Sequence, residues 1–574
     1  MAEKEPATSK GTGVPGGSAP VSSTGSVKND EVETFKLSKR SWLVFMTLAT
    51  LTLMVALDGT SISVALPIIA SKLRGSAIEA FWSGTSFLLC STVFQPTFAS
   101  LSHIFGRKPL ILAAIVFFLA GSLVSALSEN FTHMLVGRSI QGIGGGGLIA
   151  LSEIIVTDLV PLRLRGQYFG ILSAMWSVGS VTGPILGGGF AQEVSWVSTE
   201  NLLKHNLADS CVKRWIFYIN LPFIGVGIVF VLLFLKLNFI PSSLMSKLRR
   251  IDYVGSVLFI GSATSFLIPV TWGGVMYSWD SWRTLVPLIV GVVGLIAFSF
   301  YETYAATDPM IPITIFANRT AIITYIETIL HGLVLWCTLY YLPLYYETVK
   351  EYSPIISGVS LFPLSFTVAP SAAVIGIIVT KTGHYRWAIW LGFAISAIGT
   401  GLFCLLKVHT SIAGWIFLTL PAGLGLGILF PALAFGIQAS ALPGHMAVAA
   451  AMFSFFRAFG QAIGVAIGGV IFQNQMYKNL LRYPEFESLA GPFSKDAAGL
   501  VQIVRSMPAG PAKENLKTAY TDSLRIVYAV CTVIIGIAGL MSVMTRSYDL
   551  NKAIDSVQTI REKKDPDTEV ADGK

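Results

Sequence analysis

The sequence predicts an all-α protein that crosses a membrane many times. Three observations predict it. Of 574 residues, 53% are hydrophobic and only 13% are charged, about half the charge of an average soluble chain. Long apolar runs recur from Trp42 to about Met544, each near the ~20 residues that carry a helix across a bilayer. Many of the lysines and arginines fall in short stretches between those runs. A large soluble helical protein fits poorly, because so many nearly uncharged runs would leave little polar surface for water. The net charge of +8 is dispersed among loops rather than gathered in one patch, so no nucleic-acid partner is expected. Five cysteines without a Cys-x-x-Cys give no sign of a disulfide framework or a metal site.

The elements follow in order. Residues 1–42 are a tail whose polar, Gly/Ser/Pro-rich first part has the composition of disorder. Fourteen helices are predicted at about 43–69, 80–102, 108–126, 132–156, 167–190, 215–236, 250–270, 285–301, 321–344, 354–379, 386–406, 412–438, 446–473 and 526–545. A long loop, 475–524, precedes the last, with a short surface helix near 496–506. Residues 546–574 are the second tail. An even number of spans puts both termini on one side. Lys36, Lys39, Arg40, Arg107, Lys108, Arg163, Arg165, Lys247, Arg249, Arg250, Lys381, Arg386, Arg546 and Lys552 all fall on that side, which is therefore expected to be cytoplasmic. The sequon at Asn130 faces outward hard against the membrane and that at Asn318 faces inward; neither is expected to be glycosylated.

Some residues are costly in hydrocarbon. Asp58 sits inside "LMVALDGTSISVALPII", where a carboxylate costs roughly 2.5–3.5 kcal/mol on insertion scales. It must face a cavity, pair with a cation or be protonated; a proton or substrate relay and a structural hydrogen-bonding group are both open. Arg138, in "MLVGRSIQGIGGGGLIA", cannot shed its charge and needs an interior partner. Gln141 lies three residues on and shares its face. Gly142 and Gly144 belong to a bare helix surface on which a neighbour can approach closely; "GIGGGG" lacks the Lys-Ser/Thr and preceding strand of a phosphate loop. Gly179, Gly183 and Gly187 recur every four residues in "GSVTGPILGGG", beside Gly188 and the helix-bending Pro184. They form either a bendable contact that closes a pore or a static seam. In the turn "LSHIFGRKPL", Gly106 permits the reversal and Arg107 and Lys108 can pin helix ends. Glu327 and His331, i and i+4, share a face and either handle a proton or form a satisfied polar pair. Arg457 and Gln461, also four apart, loosely echo Arg138 and Gln141.

These motifs together resemble the major facilitator superfamily, in its fourteen-span drug:proton antiporter branch common in fungi. "LDGTSISVALPII", "LVGRSIQGIGGG" and "GSVTGPILGG" carry the likeness, over roughly residues 43–545. The branch's loop motif reads Gly-x-Leu-x-Asp-x-x-Gly-Arg-Arg/Lys. This chain has Ala99 at the first glycine and His103 at the aspartate, so the fixed negative charge of that gate is missing and the contact becomes open to pH.

The resemblance implies two six-helix bundles, 43–236 and 321–545, with two additional helices within 237–320. It implies alternating access about a central site, driven by the proton gradient and without a cofactor. The monomeric protein would export small organic compounds across the plasma membrane or, as an alternative, the vacuolar membrane. Asp58 is the first candidate proton carrier and Glu327 the second. Proton-coupled uptake of a nutrient or siderophore is the alternative within the same fold. A non-transporting receptor has no recognisable tail module to support it, and an enzyme has no nucleophile pair or metal spacing.

The branch joins its fifth and sixth helices by a short turn. Here about seventeen polar residues, Val197–Lys213, intervene; without them the chain would read "EVSWRWIFYINLPF", as the branch does. A retained intron in the gene model and a genuine extracytoplasmic insertion are both open readings.

Overall fold

The computed structural model describes residues 38–73, 77–192, 215–237, 243–274, 276–495 and 499–552. Val197–Lys213 and most of both tails lie outside them.

Fourteen long helical segments order the described residues: α1 (Lys39–Lys72), α2 (Ala77–Phe105), α3 (Arg107–Ala126), α4 (Phe131–Leu159), α5 (Arg165–Gln192), α6 (Trp215–Phe234), α7 (Tyr253–Trp272), α8 (Trp282–Tyr304), α9 (Arg319–Thr348), α10 (Pro354–Thr382), α11 (Arg386–Leu402), α12 (Ile412–Ser440), α13 (Met446–Leu480) and α14 (Pro511–Ser542). Thirteen are long and apolar enough to cross a membrane. The remaining one, α2, has the length but is diluted by Ser83, Thr85, Ser86, Thr92 and Gln95. Helices suit this solvent because each backbone group is satisfied within its own segment.

Helix ends follow the sequence chemistry. Asn130 and Asn318 each accept a hydrogen bond from the backbone N–H three residues on, at 2.9 and 2.8 Å, and so cap α4 and α9. Both sequon asparagines are thus spent on capping. Gly106, at φ +93°, makes the reversal between α2 and α3. Between α7 and α8, Gly274 at φ +78° turns the chain inside the stretch 267–290.

The two halves repeat one pairing scheme. In the first, α1 packs on α5, and α4 packs on α2 and α3; in the second, α9 packs on α13, and α12 packs on α10 and α11. Each half has its own apolar core. The halves meet reciprocally, α5 against α10 and α13 against α2 and α4. The α7–α8 hairpin stands outside, touching α2 and α13 through α7. Val286, Ile289, Val290, Val293 and Phe300 of α8 face outward, as a helix among lipid tails requires.

One expectation is corrected. The last helix begins at Pro511 rather than near 526. Its first turns carry Lys513, Glu514 and Lys517, which read as loop, but Lys513 and Lys517 reach Glu351 at 2.7 and 2.6 Å. The loop before it is correspondingly shorter and holds helical turns at Pro484–Leu489, Ala490–Lys495 and Gly499–Ser506.

Candidate functional site

The first half is organised around Asp58 on α1, which is buried. Arg138 and Gln141 lie one turn apart on α4 and converge on it. Arg138 Nη1 is 2.6 Å from one carboxylate oxygen, and Gln141 Nε2 is 2.8 Å from the other. Asn220 of α6 donates to that second oxygen at 2.7 Å. Arg138 also donates to Gln141 Oε1 at 2.6 Å and to the Ser83 carbonyl at 3.1 Å, and its guanidinium lies 4.5 Å over the Phe87 ring. Gly121 makes room for this cluster. A Cβ there would strike the Gln141 backbone; without one, α3 comes close enough for Ser122 Oγ to take a 2.8 Å hydrogen bond from Gln141. Four helices therefore hold one carboxylate. Such pairs survive desolvation only when geometry and added hydrogen bonds are good, and here both are.

The glycines set helix spacing. A Cβ on Gly142 would strike the Phe87 carbonyl of α2, and one on Gly144 would strike the α3 backbone at Phe118. Gly179, Gly183 and Gly187 lie against α1, where Cβ atoms would meet Ala56, Thr60 and the Ser61 carbonyl respectively. The α1–α5 seam thus runs past the residues flanking Asp58. Pro184 lies inside α5 and is buried; Gly358 of α10 approaches it so closely that a Cβ would come within 3.2 Å. Gly188 continues the same helix.

The second half differs. Glu327 and His331 of α9 are wholly buried, but they are not a satisfied pair. His331 Nε2 is 3.0 Å from the Leu426 carbonyl, while among the described residues its Nδ1 and both Glu327 oxygens have no hydrogen-bond partner. Arg457 of α13 lies 4.4 Å over the Phe430 ring. Gln461 is buried further along α13, and among the described residues no hydrogen bond joins it to Arg457. The loose echo of Arg138 and Gln141 does not extend to the geometry. Arg457 instead faces Glu153 of α4, 3.9 Å away.

At one end of the molecule the gate motif and the two halves meet. Arg107 donates to Asp158 Oδ2 and to Ser102 Oγ, both at 2.9 Å, and lies 3.5 Å from His103 Nδ1. Lys108 holds the Leu232 carbonyl at the end of α6, at 2.9 Å. Arg163 donates to the Thr380 and Lys381 carbonyls at 2.7 and 3.1 Å and to Asn551 at 3.2 Å. Arg165, fully buried, donates to Gln438 at 2.8 Å. Lys552 donates to the Ala439 carbonyl at 2.6 Å. These contacts close that end.

Sequence reasoning missed Glu153, Asp158, Asn220 and the joining role of Arg165. Glu153 lies within the apolar run 132–156, so the cost argument applied to Asp58 covers it equally. Asn220 is a neutral amide and gives a weaker signal. Outside the spans, Glu351 combines a left-handed φ of +55° with the two lysine bridges already described. Burial alone would raise its carboxyl, but the hydrogen bonds from Lys513 and Lys517 outweigh this and hold it below the usual carboxylate range.

Comparison with known proteins agrees with this architecture. Residues 48–465 match the family model described as Major Facilitator Superfamily. The chain is 52% identical over 542 residues to "MFS transporter L2" of Phoma sp., covering 94% of this chain and 88% of that protein. It is 36% identical to "MFS-type efflux pump LUC4" of Fusarium sp., covering 98% of each, and 36% identical to "Efflux pump FUS6" of Gibberella moniliformis, covering 93% and 92%. Among solved structures, the proton:xylose symporter XylE superposes with a TM-score of 0.54 at 14% identity, covering 90% of this chain and 99% of XylE. A bacterial homologue of the lysosomal transporter Spinster gives 0.53 at 17% identity, covering 88% and 97%. The chain is a multi-pass membrane transporter and belongs to the major facilitator superfamily.

Proposed function

We propose that this transporter is a proton-coupled antiporter that exports small organic compounds, placed in the plasma membrane with both termini cytoplasmic. The observation that carries the reading is Asp58. It is a buried carboxylate at the junction of four helices, 2.6 Å from an arginine that cannot give up its charge. A proton arriving on Asp58 removes the attraction to Arg138 and leaves that guanidinium to seek other contacts. Proton binding is thereby tied to helix packing, which is what exchange by alternating access needs. The names of LUC4 and FUS6, both efflux pumps, support the outward direction.

The test uses inside-out vesicles with an acidic lumen and a fluorescent reporter of the pH gradient. Organic compounds from a chemically varied panel are added to the bath. Exchange predicts that a transported compound collapses the gradient from the bath side, and that Asp58→Asn abolishes the response. Collapse only when the compound is preloaded in the lumen would establish uptake instead.

A further inference from the structure

A second buried carboxylate lies between the halves and is held very differently from Asp58. Glu153 of α4 and Arg457 of α13 come from opposite halves, with side-chain exposures of 6% and 11%. Their separation of 3.9 Å is too long for a hydrogen bond, so attraction of charge alone joins them. Among the described residues, Glu153 Oε2 and Arg457 Nε have no hydrogen-bond partner. Asp58, by contrast, receives hydrogen bonds from Arg138, Gln141 and Asn220. A buried carboxylate is kept ionised by donors and nearby positive charge and neutralised by their lack. Of the two, Glu153 has fewer donors around its carboxylate.

The surroundings focus this on one partner. From α13, Arg457 and the Ser454 hydroxyl face Glu153. His331 of α9 lies behind, within electrostatic range of Arg457. The charged groups on the other helices packed against α4 are held elsewhere or lie at helix ends, with Lys39 and Arg40 in the first turn of α1. Asp58 on α1 is held by Arg138, and Arg107 on α3 by Asp158. Lys108 on α3 holds the Leu232 carbonyl. Arg165 on α5 donates to the carbonyls of Thr157 and Val160 and to Gln438. On α2, His103 lies against Arg107, and Glu79 is in the first turn at the far end. Arg457 is itself stacked on Phe430 and Phe453, so an aromatic surface keeps it in place when its anion is lost.

We propose that Glu153 is a second proton-binding group of the transporter, and that proton uptake there dissolves a charge pair tying the two halves together. The carboxylate takes up one proton and becomes neutral. Arg457 keeps its charge, and the attraction across the seam is gone. Proton release restores it. This rests on the proton-coupled reading above, but it assigns a different residue and a different act. Asp58 alters packing inside one half, whereas Glu153 alters the grip of one half on the other.

The experiment measures separation of the halves against pH in the purified full-length protein in lipid nanodiscs, without any transported compound. Spin labels are placed through P109C and H384C, both at exposed positions, with the native cysteines replaced by serine. The wild-type background is expected to populate a more widely separated state as pH falls. Glu153→Gln should hold that state at every pH, and Arg457→Gln should do the same. Arg457→Lys, which keeps the charge, should retain the transition with its midpoint moved by about one pH unit, a response that a merely structural role would not give. Asp58→Asn should retain it too. A wild-type protein without the transition, or Glu153→Gln titrating like wild type, overturns the proposal. Gradient collapse that fails for every compound while the Glu153-dependent transition persists would sink the antiport reading and leave the proton site standing.

Discussion

Arg138 and Asp58 lie 2.6 Å apart with neither side chain exposed to solvent, although they are eighty residues apart in the chain. Removing one member leaves the other buried and uncompensated, at a cost of about 3–5 kcal/mol. Arg138→Ala is therefore expected to lower the unfolding temperature in detergent and to abolish transport. Asp58→Asn should remain in the membrane, lose coupling and unfold earlier than wild type. The double variant Asp58→Asn with Arg138→Gln should recover much of the thermal stability and none of the proton coupling. Recovery of coupling would remove Asp58 from the mechanism.

Asp158 supplies the anion for Arg107 that His103 cannot. Asp158→Asn should destabilise the closed end and impair transport. Because Arg107 Nη2 is 3.5 Å from His103 Nδ1, adding His103→Asp to that variant should restore part of both. Thermal unfolding and gradient-collapse assays on the single and double variants check this; an unrescued double variant would show that the position of the carboxylate matters as much as its charge.

The α1–α5 seam predicts a graded response to added carbon. Gly187→Ala would drive a Cβ into the Ser61 carbonyl, and overpacking of this kind costs about 1–3 kcal/mol. Gly225→Ala, where no described residue lies within 4 Å of the new atom, should be nearly silent. Comparing the two in expression level, unfolding temperature and transport separates the seam from a general sensitivity of glycines.

Glu351 gives a pH prediction. Its carboxyl is held below the usual range in the folded protein, so the stability it contributes is complete above its unfolded value, about 4.3. That stability fades as pH falls through the lower folded value. Because the side chain is 33% exposed, solvent screening keeps the contribution below about 1 kcal/mol. Glu351→Gln should lower the unfolding temperature slightly at pH 7, where the wild-type contribution is complete, and converge with wild type at acid pH, which flattens the acid limb. Glu351→Gly should lose the same limb but regain some stability at neutral pH, since φ +55° suits glycine.

Much of this was legible in the sequence. The membrane class and most of the helices follow from length and missing charge. Asp58 and Arg138 stand out because a charge in hydrocarbon must be explained. That the two meet was not legible, since contacts between distant helices leave no local pattern. Glu153 carries the same signal as Asp58, a carboxylate inside an apolar run, next to the glycines that dominate that stretch. Asn220 is a neutral amide whose value depends wholly on where α6 places it. The start of α14 reads as loop in the sequence because Lys513, Glu514 and Lys517 are charged and their partner Glu351 lies far away in the chain.

The chain just past α14 has a practical consequence. Asn551 takes a hydrogen bond from Arg163 in the opposite half, and Lys552 reaches the end of α12, so these residues work as a strap across the joint. A shortened version for structural work should end no earlier than Lys552. A reporter protein fused directly at Asn551 would be built into the hinge it was meant to observe.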